Sequence, residues 1–68
     1  MTEIVIYLEY GSITVYWDED MVHTYDYLHN QIKVAKDTGL LNVGDESKHV
    51  FHIIKYDKIH RIALRKAK

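Results

Sequence analysis

Apolar and polar residues alternate through the first seventeen positions of the chain, which is the pattern of two half-buried strands. The residues of one predicted face are Ile4, Ile6, Leu8, Tyr10, Ile13, Val15 and Trp17. Gly11-Ser12 separates the two alternating runs, and glycine readily takes the positive φ that two-residue hairpin turns require. We therefore predict a β-hairpin with Gly11-Ser12 as its loop, in which Tyr7 lies opposite Tyr16 on the other face.

A helical period follows the hairpin. Apolar residues recur at steps of four and three, namely Met21, Tyr25, Leu28, Ile32 and Ala35. Asp18-Glu19-Asp20 precedes this stripe and supplies side chains that cap free N–H groups, and Gly39 suits a left-handed C-cap. The pattern predicts a helix over residues 19–37 that packs through its stripe on a sheet. The residues turned away from the stripe are His23, Tyr27, Asn30 and Val34.

The last third of the chain reads as strands with less regular patterns. We predict strands over 40–43, 49–56 and 59–65, a polar turn over 44–47, a turn at Asp57-Lys58, and a frayed basic tail over 65–68. Apolar residues of the segment 49–56 fall on both faces, so this strand is either buried on both sides or carries a bulge. The predicted fold is a single α+β domain over residues 1–68. It has an N-terminal hairpin and one amphipathic helix on a small antiparallel sheet completed by two or three C-terminal strands.

Charge is segregated along the chain. Residues 1–31 contain six Asp and Glu and no Lys or Arg, whereas residues 32–68 contain nine Lys and Arg against four Asp and Glu. The two parts therefore carry formal charges of −6 and +5, which sum to the net charge of −1. Such asymmetry bears on partners rather than on the fold. Either the two parts neutralise each other within one domain, or each presents its field to something outside.

Length and composition limit the class of protein. A chain of 68 residues without cysteine has no disulfide and no thiolate metal site, so its stability must come from a well-packed core or from self-association. No apolar run approaches the 18 residues of a transmembrane helix, and the N-terminus lacks the basic and apolar regions of a signal peptide. We therefore expect no membrane span and a cytoplasmic location.

No catalytic or metal-binding constellation stands out. His49 and His52 fall on opposite faces of a strand, and His23 and His29 lie about 120° apart on the predicted helix. Serine lies only in predicted turns, and the three glycines are isolated, so neither a nucleophile elbow nor a phosphate-binding loop is present. We expect a protein that is not an enzyme and that has no metal site and no cofactor.

The acidic part of the chain offers one binding surface, which we call the acidic tyrosine surface. Its predicted residues are Tyr7, Glu9, Tyr16, Asp18, His23 and Tyr27. Exposed tyrosines are enriched in interfaces, so we predict a non-catalytic protein-binding module whose partner is a host or cognate protein with a basic surface. Small, cysteine-free, tyrosine-rich chains with split charge resemble accessory proteins of phages and mobile elements. That resemblance implies a small regulator or inhibitor, acting at a nucleic-acid-binding host protein.

Two alternatives remain open on the sequence. The first is nucleic-acid binding through the basic C-terminal strand and tail, with the residues Lys55, Tyr56, Lys58, Arg61, Arg65 and Lys66. Basic residues can follow a phosphate backbone while an aromatic ring stacks on a base, but a pI near 6.5 is low for such a domain. The second is a homodimeric structural protein that enlarges a small core by joining two copies.

Overall fold

The computed structural model describes residues 1–45 and 48–67 of the chain. The elements in chain order are strand β1 (Thr2–Leu8), strand β2 (Gly11–Trp17), helix α1 (Met21–Thr38), strand β3 (Leu40–Asp45), strand β4 (Val50–Lys55), a short 3-10 helix (Tyr56–Lys58) and strand β5 (Ile59–Lys66). One helix packs against antiparallel sheets, so the predicted α+β class is confirmed. In the predicted turn 44–47, Gly44 and Asp45 belong to β3 instead, and Glu46 and Ser47 lie outside the described residues.

The N-terminal hairpin forms with its predicted faces but with a different loop. Leu8 pairs with Gly11, so the loop is Glu9-Tyr10 and the predicted Gly11-Ser12 loop is wrong. Neither loop residue has a positive φ, because among the described non-glycine residues only His49, far from this loop in sequence, has one. Gly11, directly after the loop, has a φ of 153°. The glycine therefore uses its conformational freedom directly after the turn. The loop lies two residues earlier than predicted, so each cross-strand partner changes by four residues. Because side chains alternate with a period of two, each residue keeps its predicted face.

Strand β1 is the middle strand of a three-stranded sheet in the order β2-β1-β5. Both neighbours are antiparallel to it, and the β1–β5 register runs from Thr2 opposite Lys66 to Leu8 opposite Ile59. The ladder continues one residue further, since the Ala67 N–H donates to the Met1 carbonyl over 3.0 Å. The prediction of a frayed tail is therefore wrong for residues 65–67, because backbone pairing with β1 holds them, and Lys68 lies outside the described residues.

Helix α1 begins and ends with the capping groups that its sequence indicates. The Asp20 side chain accepts a hydrogen bond from the His23 N–H over 2.8 Å, which satisfies one of the free donors of the first turn. Gly39 is left-handed, with a φ of 80°, and its N–H donates to the Ala35 carbonyl, as in an αL C-cap. These contacts confirm the predicted capping by the Asp18-Glu19-Asp20 segment and by Gly39, whereas the helix covers Met21–Thr38 rather than the predicted residues 19–37.

The buried side of the helix is rotated from the predicted stripe. Thr24, Leu28 and Ala35 are buried, whereas Met21 and Tyr25 are 42% and 58% exposed. The reason lies at the helix start, where the small Thr24 donates through its hydroxyl to the Asp20 carbonyl and allows a close approach to the sheet. The Trp17 and Tyr27 rings are in contact, with centroids 4.1 Å apart. This contact turns the side of the helix that carries Tyr27 towards the sheet. Tyr27, which we predicted to face outward, is half-buried.

Strands β3 and β4 form a separate two-stranded sheet. One face of this sheet packs on the core, and its other face does not. Their register is continuous, and it places Leu41 opposite Ile54 on the buried face. The core cluster consists of Ile4, Ile6, Val15, Leu28, Ala35, Leu41, Val43 and Ile54. Neither expectation for the segment 49–56 holds, because β4 has no bulge and its second face is exposed.

No helix among the described residues is long and apolar enough to cross a membrane.

The core position of Leu28 gives a test of the helix rotation. We expect Leu28→Ala to lower the free energy of unfolding by about 2–5 kcal/mol, because the buried side chain would leave a cavity. Met21→Ala, at the exposed end of the predicted stripe, should change it by less than about 1 kcal/mol. Urea denaturation followed by circular dichroism measures both variants. Equal losses would show that the predicted stripe, rather than the structural one, is buried.

The Asp20–His23 pair at the helix start predicts a stability that depends on pH. The His23 ring lies 2.8 Å from the Asp20 carboxylate, and hydrogen bonds from His23 lower the pKa of Asp20 while Asp20 raises the pKa of His23. The contribution of the Asp20 carboxylate to the free energy of unfolding is lost as pH falls through the lowered pKa of Asp20. That of His23 is present below its unfolded pKa of about 6.5 and is lost as pH rises through its raised folded value.

We therefore expect the difference in Tm between wild type and His23→Gln to be largest between about pH 4 and 6.5 and to shrink above that range. Thermal melts across pH measure it, and His29→Gln, an exposed histidine later in the same helix, is the matched control. A difference that stays constant from acid to alkaline pH would contradict the ion pair.

Candidate functional site

Tyr7 and Tyr16 lie on the face of the three-stranded sheet that points away from the helix. The alternate residues Ile4 and Ile6 belong to the core, so the odd-numbered residues of β1 face the other side. Tyr7 pairs with Ser12 and not with Tyr16. The predicted cross-strand tyrosine pair is therefore wrong, because it depended on the Gly11-Ser12 loop.

Basic residues of β5 cover this face of the sheet. The Arg61 guanidinium lies 4.5 Å from the centre of the Tyr7 ring, in the position of a cation–π contact. Arg65 forms an ion pair with Glu3 over 3.0 Å. A hydrogen bond to the Glu3 carboxylate raises the pKa of the Tyr16 phenol. The ion pair with Arg65 neutralises Glu3, so the hairpin presents less free negative charge than the sequence suggested.

The other residues of the acidic tyrosine surface lie elsewhere. Glu9 is exposed in the hairpin loop, and Asp18 is exposed at the opposite end of β2. His23 is held by Asp20 on the first turn of α1, and Tyr27 packs on Trp17. The six residues are distributed over the sheet face, both ends of the hairpin and the helix, so the structure does not bring them together into one surface.

The predicted nucleic-acid-binding residues are also divided. Arg61 and Arg65 share the outer sheet face, whereas Lys55 ends β4 and Lys58 lies in the short 3-10 helix. Lys66 is exposed at the end of β5. The Tyr56 ring packs against the core cluster, and its backbone N–H donates to the Gly39 carbonyl over 2.9 Å. Because Tyr56 supports the core, it does not offer a free ring for base stacking.

The outer face of the β3–β4 sheet is a surface that the sequence analysis missed. The register puts Asn42 opposite Ile53 and Gly44 opposite Phe51 on this face. Ile53 is 68% exposed and Phe51 is 78% exposed, and Leu40 on the same face is also exposed. We call Leu40, Phe51 and Ile53 the hairpin apolar face, where hairpin means the β3–β4 pair and not the N-terminal β1–β2 hairpin. Clustered apolar side chains that remain exposed in a folded domain typically mark an interaction site.

A groove opens beside the hairpin apolar face. It has a volume of about 510 Å³ and is lined by Trp17, Tyr27, Gly44, Asp45, His49, Val50 and Phe51. Asp45, one of these lining residues, is 2% exposed. Burial raises the pKa of the Tyr27 phenol, and the Gly44 backbone acts on it in the opposite direction, which places the phenol beside β3.

One sequence signal could have found this surface. The segment Val50–Lys55 has apolar residues of both parities, and only Ile54 of them is buried in the core. A strand with apolar side chains on two faces, in a chain too small to cover both, indicates an exposed apolar face. Among the described residues, no three His, Asp or Glu side chains lie close enough to hold a metal ion.

Comparison with protein-family models, curated proteins and solved structures gives no match to this chain.

The contacts of Arg61 and Arg65 predict weak binding to nucleic acid. Each guanidinium already has a partner on the sheet, and the adjacent Glu3 repels phosphate. We expect a labelled single-stranded oligonucleotide at low salt to show no saturable binding below about 100 µM, the weak end of non-specific affinities. Fluorescence anisotropy measures this. Tight binding that disappears in an Arg61→Gln, Arg65→Gln double variant would contradict the prediction.

Proposed function

We propose that this protein is a non-catalytic protein-binding module that contacts its partner through the hairpin apolar face. The observation that carries the proposal is the exposure of Phe51 and Ile53 side by side on one face of a two-stranded sheet. Burying a side chain of this size stabilises a complex by roughly 1.5–3 kcal/mol. Two such anchors, together with Leu40, form the apolar centre that protein interfaces typically have.

The position of β4 supports binding at the same place. Within residues 1–45 and 48–67, β4 pairs with β3 along one edge and with no strand along the other. A free strand edge offers backbone N–H and C=O groups to an extended segment of a partner. Strand β4 therefore carries both the apolar side chains of Phe51 and Ile53 and an open backbone edge.

Charge near the groove favours a basic partner. Asp18, Glu19 and Asp20 directly follow Trp17 in sequence and are exposed, and Asp26 precedes Tyr27 on the helix. Unlike Glu3, these carboxylates are not engaged by the arginines of β5 in the contacts described above, and among them Asp20 contacts His23 at the helix start. The role we propose is that of a small regulator or inhibitor, which acts by occupying a basic surface of its partner.

The test compares two single-carboxylate variants in partner capture. Ile53→Asp places a charge in the hairpin apolar face, and Ser12→Asp places one at an exposed position of strand β2, outside that face. We expect wild type and Ser12→Asp to retain one protein from a host lysate after nuclease treatment. Ile53→Asp should weaken its binding by about tenfold or more, since about 1.4 kcal/mol or more is lost. Calorimetry with the purified partner quantifies the change.

Sedimentation of the pure protein decides whether the occupant is instead a second copy. We expect a monomer across the measured concentrations. A dimer that Ile53→Asp dissociates would assign the hairpin apolar face to self-association. Equal partner binding by Ile53→Asp and Ser12→Asp, with circular dichroism showing both folded, would refute the proposed surface.

A further inference from the structure

We infer that the free edge of β5 binds an extended, acidic segment of a protein, which adds to the three-stranded sheet as a fourth strand. The inference goes beyond the proposed function, because this edge belongs to the other sheet and shares no residue with the hairpin apolar face. Within residues 1–45 and 48–67, β5 pairs with β1 along one edge and with no strand along the other. Unpaired strand edges bind extended peptides through backbone hydrogen bonds.

The backbone direction in β5 shows which residues offer their groups to the free edge. Ala67, at the end of the ladder, donates its N–H to the Met1 carbonyl over 3.0 Å. Along an antiparallel strand the N–H and C=O groups turn alternately to one neighbour and to the other, and the register is regular from Lys66 to Arg61. Odd-numbered residues in this stretch therefore bond to β1. The even-numbered residues point their groups to the free edge, namely Ile62, Leu64 and Lys66.

An apolar trough lies between β5 and helix α1, and we call it the β5 trough. One cavity of about 170 Å³ is lined by Tyr25, Leu28, His29, Ile32, Ile62 and Leu64. A second cavity of about 610 Å³ shares Ile32 and Ile62 with the first and reaches Tyr56 and Ile59. Tyr25 belongs to the helix stripe that the sequence predicted to be buried, yet it is 58% exposed. The helix therefore leaves apolar surface uncovered beside β5.

An added antiparallel strand would place every second side chain in the β5 trough. Directly opposite residues of two antiparallel strands have their side chains on the same face of the sheet. Residues of the added strand opposite Ile62 and Leu64 therefore face the trough, which suits apolar side chains. Residues opposite Arg61, Ala63 and Arg65 face the outer side of the sheet. The segment thus needs apolar residues at alternate positions.

The charge of β5 indicates carboxylates at the positions between them. The strand contains no Asp or Glu and three cations, Arg61, Arg65 and Lys66. Glu3 pairs with Arg65, whereas the Tyr7 ring that Arg61 contacts has no charge to neutralise it. Asp57 is the one carboxylate among the residues that line the trough. Because opposite charges on neighbouring strands stabilise the pairing, an acidic segment fits this edge better than a basic one.

The same features disfavour two other occupants of the edge. A second copy that paired β5 with β5 would bring two sets of cations together without a carboxylate in either strand, and like charges on neighbouring strands are destabilising. A nucleic acid has the favourable charge, but it offers neither the backbone groups of an extended peptide nor apolar side chains for the trough. An acidic peptide with apolar residues at alternate positions matches the edge, the trough and the charge together.

Amide hydrogen exchange of the free protein tests the open edge. We expect the amides of Ile62 and Leu64 to exchange about tenfold or more faster than those of Arg61, Ala63 and Arg65, which bond to β1. NMR spectra of isotopically labelled protein in deuterated buffer measure the rates. Equally slow exchange of both sets would overturn the inference. Protection of Ile62 and Leu64 that grows with protein concentration would assign the edge to a second copy instead.

Peptide binding tests the chemistry of the occupant. The ligand is acetylated, amidated Glu-Val-Glu-Ile-Glu-Val-Glu, titrated into the labelled protein. We expect saturable binding with a Kd on the order of 1 mM and the largest amide shift changes at Ile62, Leu64 and Lys66. The same peptide with Lys in place of Glu should bind about tenfold or more weakly. Methylation of the peptide nitrogens of its Val and Ile residues removes the donors to the edge and should weaken binding by a similar factor.

Two pairs of variants connect the binding to the trough and to the charge. Tyr25→Ala removes an exposed wall of the trough and should weaken the acidic peptide by about fivefold. Its matched control is Tyr10→Ala, at an exposed position of the N-terminal hairpin loop, which should change nothing. Arg61→Gln should weaken the peptide by about threefold, and Lys48→Gln, at an exposed position outside β5, is its control. Circular dichroism checks that all four variants fold.

The outcomes separate this inference from the proposed function. Equal affinities for the Glu and Lys peptides, or no saturation up to about 20 mM when a Kd on the order of 1 mM is expected, would overturn the acidic-strand site. Shift changes confined to β4 would overturn it as well. Ile53→Asp, on the other sheet, should leave peptide binding unchanged. Partner binding that depends on Ile53 would leave the proposed function intact whichever way the peptide experiment ends.

Discussion

Antiparallel pairing of β5 with β1 is the interaction on which the rest of the structure depends. It joins residues at the two ends of the chain, from Thr2 opposite Lys66 to Leu8 opposite Ile59, and makes β1 a central strand. Ile4 and Ile6 are fully buried as a result, and they anchor the core on which the helix packs. The same pairing sets Arg65 beside Glu3. It therefore closes the fold and reduces the charge asymmetry of the sequence at once.

Local signals of the sequence were sufficient for the class of fold and for the element types. Alternation placed Ile4 and Val15 on the inner face, and Asp20 and Gly39 marked the helix ends. Three features depended on distant contacts and could not be predicted in the same way. The hairpin register is set by a turn that directly precedes Gly11. The buried side of the helix is rotated towards the Trp17 ring, and the predicted basic tail is a paired strand. Each was decided by packing between elements that a periodic pattern does not contain.

The candidate site was harder to predict than the fold. Of the residues chosen from the sequence, Tyr27 packs on Trp17 and Tyr56 packs against the core. Tyr7 contacts Arg61, so neither of these two belongs to a free patch. The hairpin apolar face was missed because Phe51 and Ile53 looked like core residues. They are exposed because the two-stranded β3–β4 sheet has one face on the core, and within residues 1–45 and 48–67 no second layer packs on the other face. In a small domain, apolar side chains left outside the core are more informative about binding than charge runs are.

The closure of the sheet by β5 also determines when this domain can fold during synthesis. The β1–β2 hairpin joins residues close in sequence and can pair as soon as Trp17 is made. Strand β1 then keeps one edge unpaired, with Ile4 and Ile6 beside it, until Lys66 emerges. An open, apolar strand edge is a site for pairing with other chains. The growing polypeptide therefore carries an adhesive edge from the synthesis of β1 until β5 emerges, and pairing with β5 is what removes it.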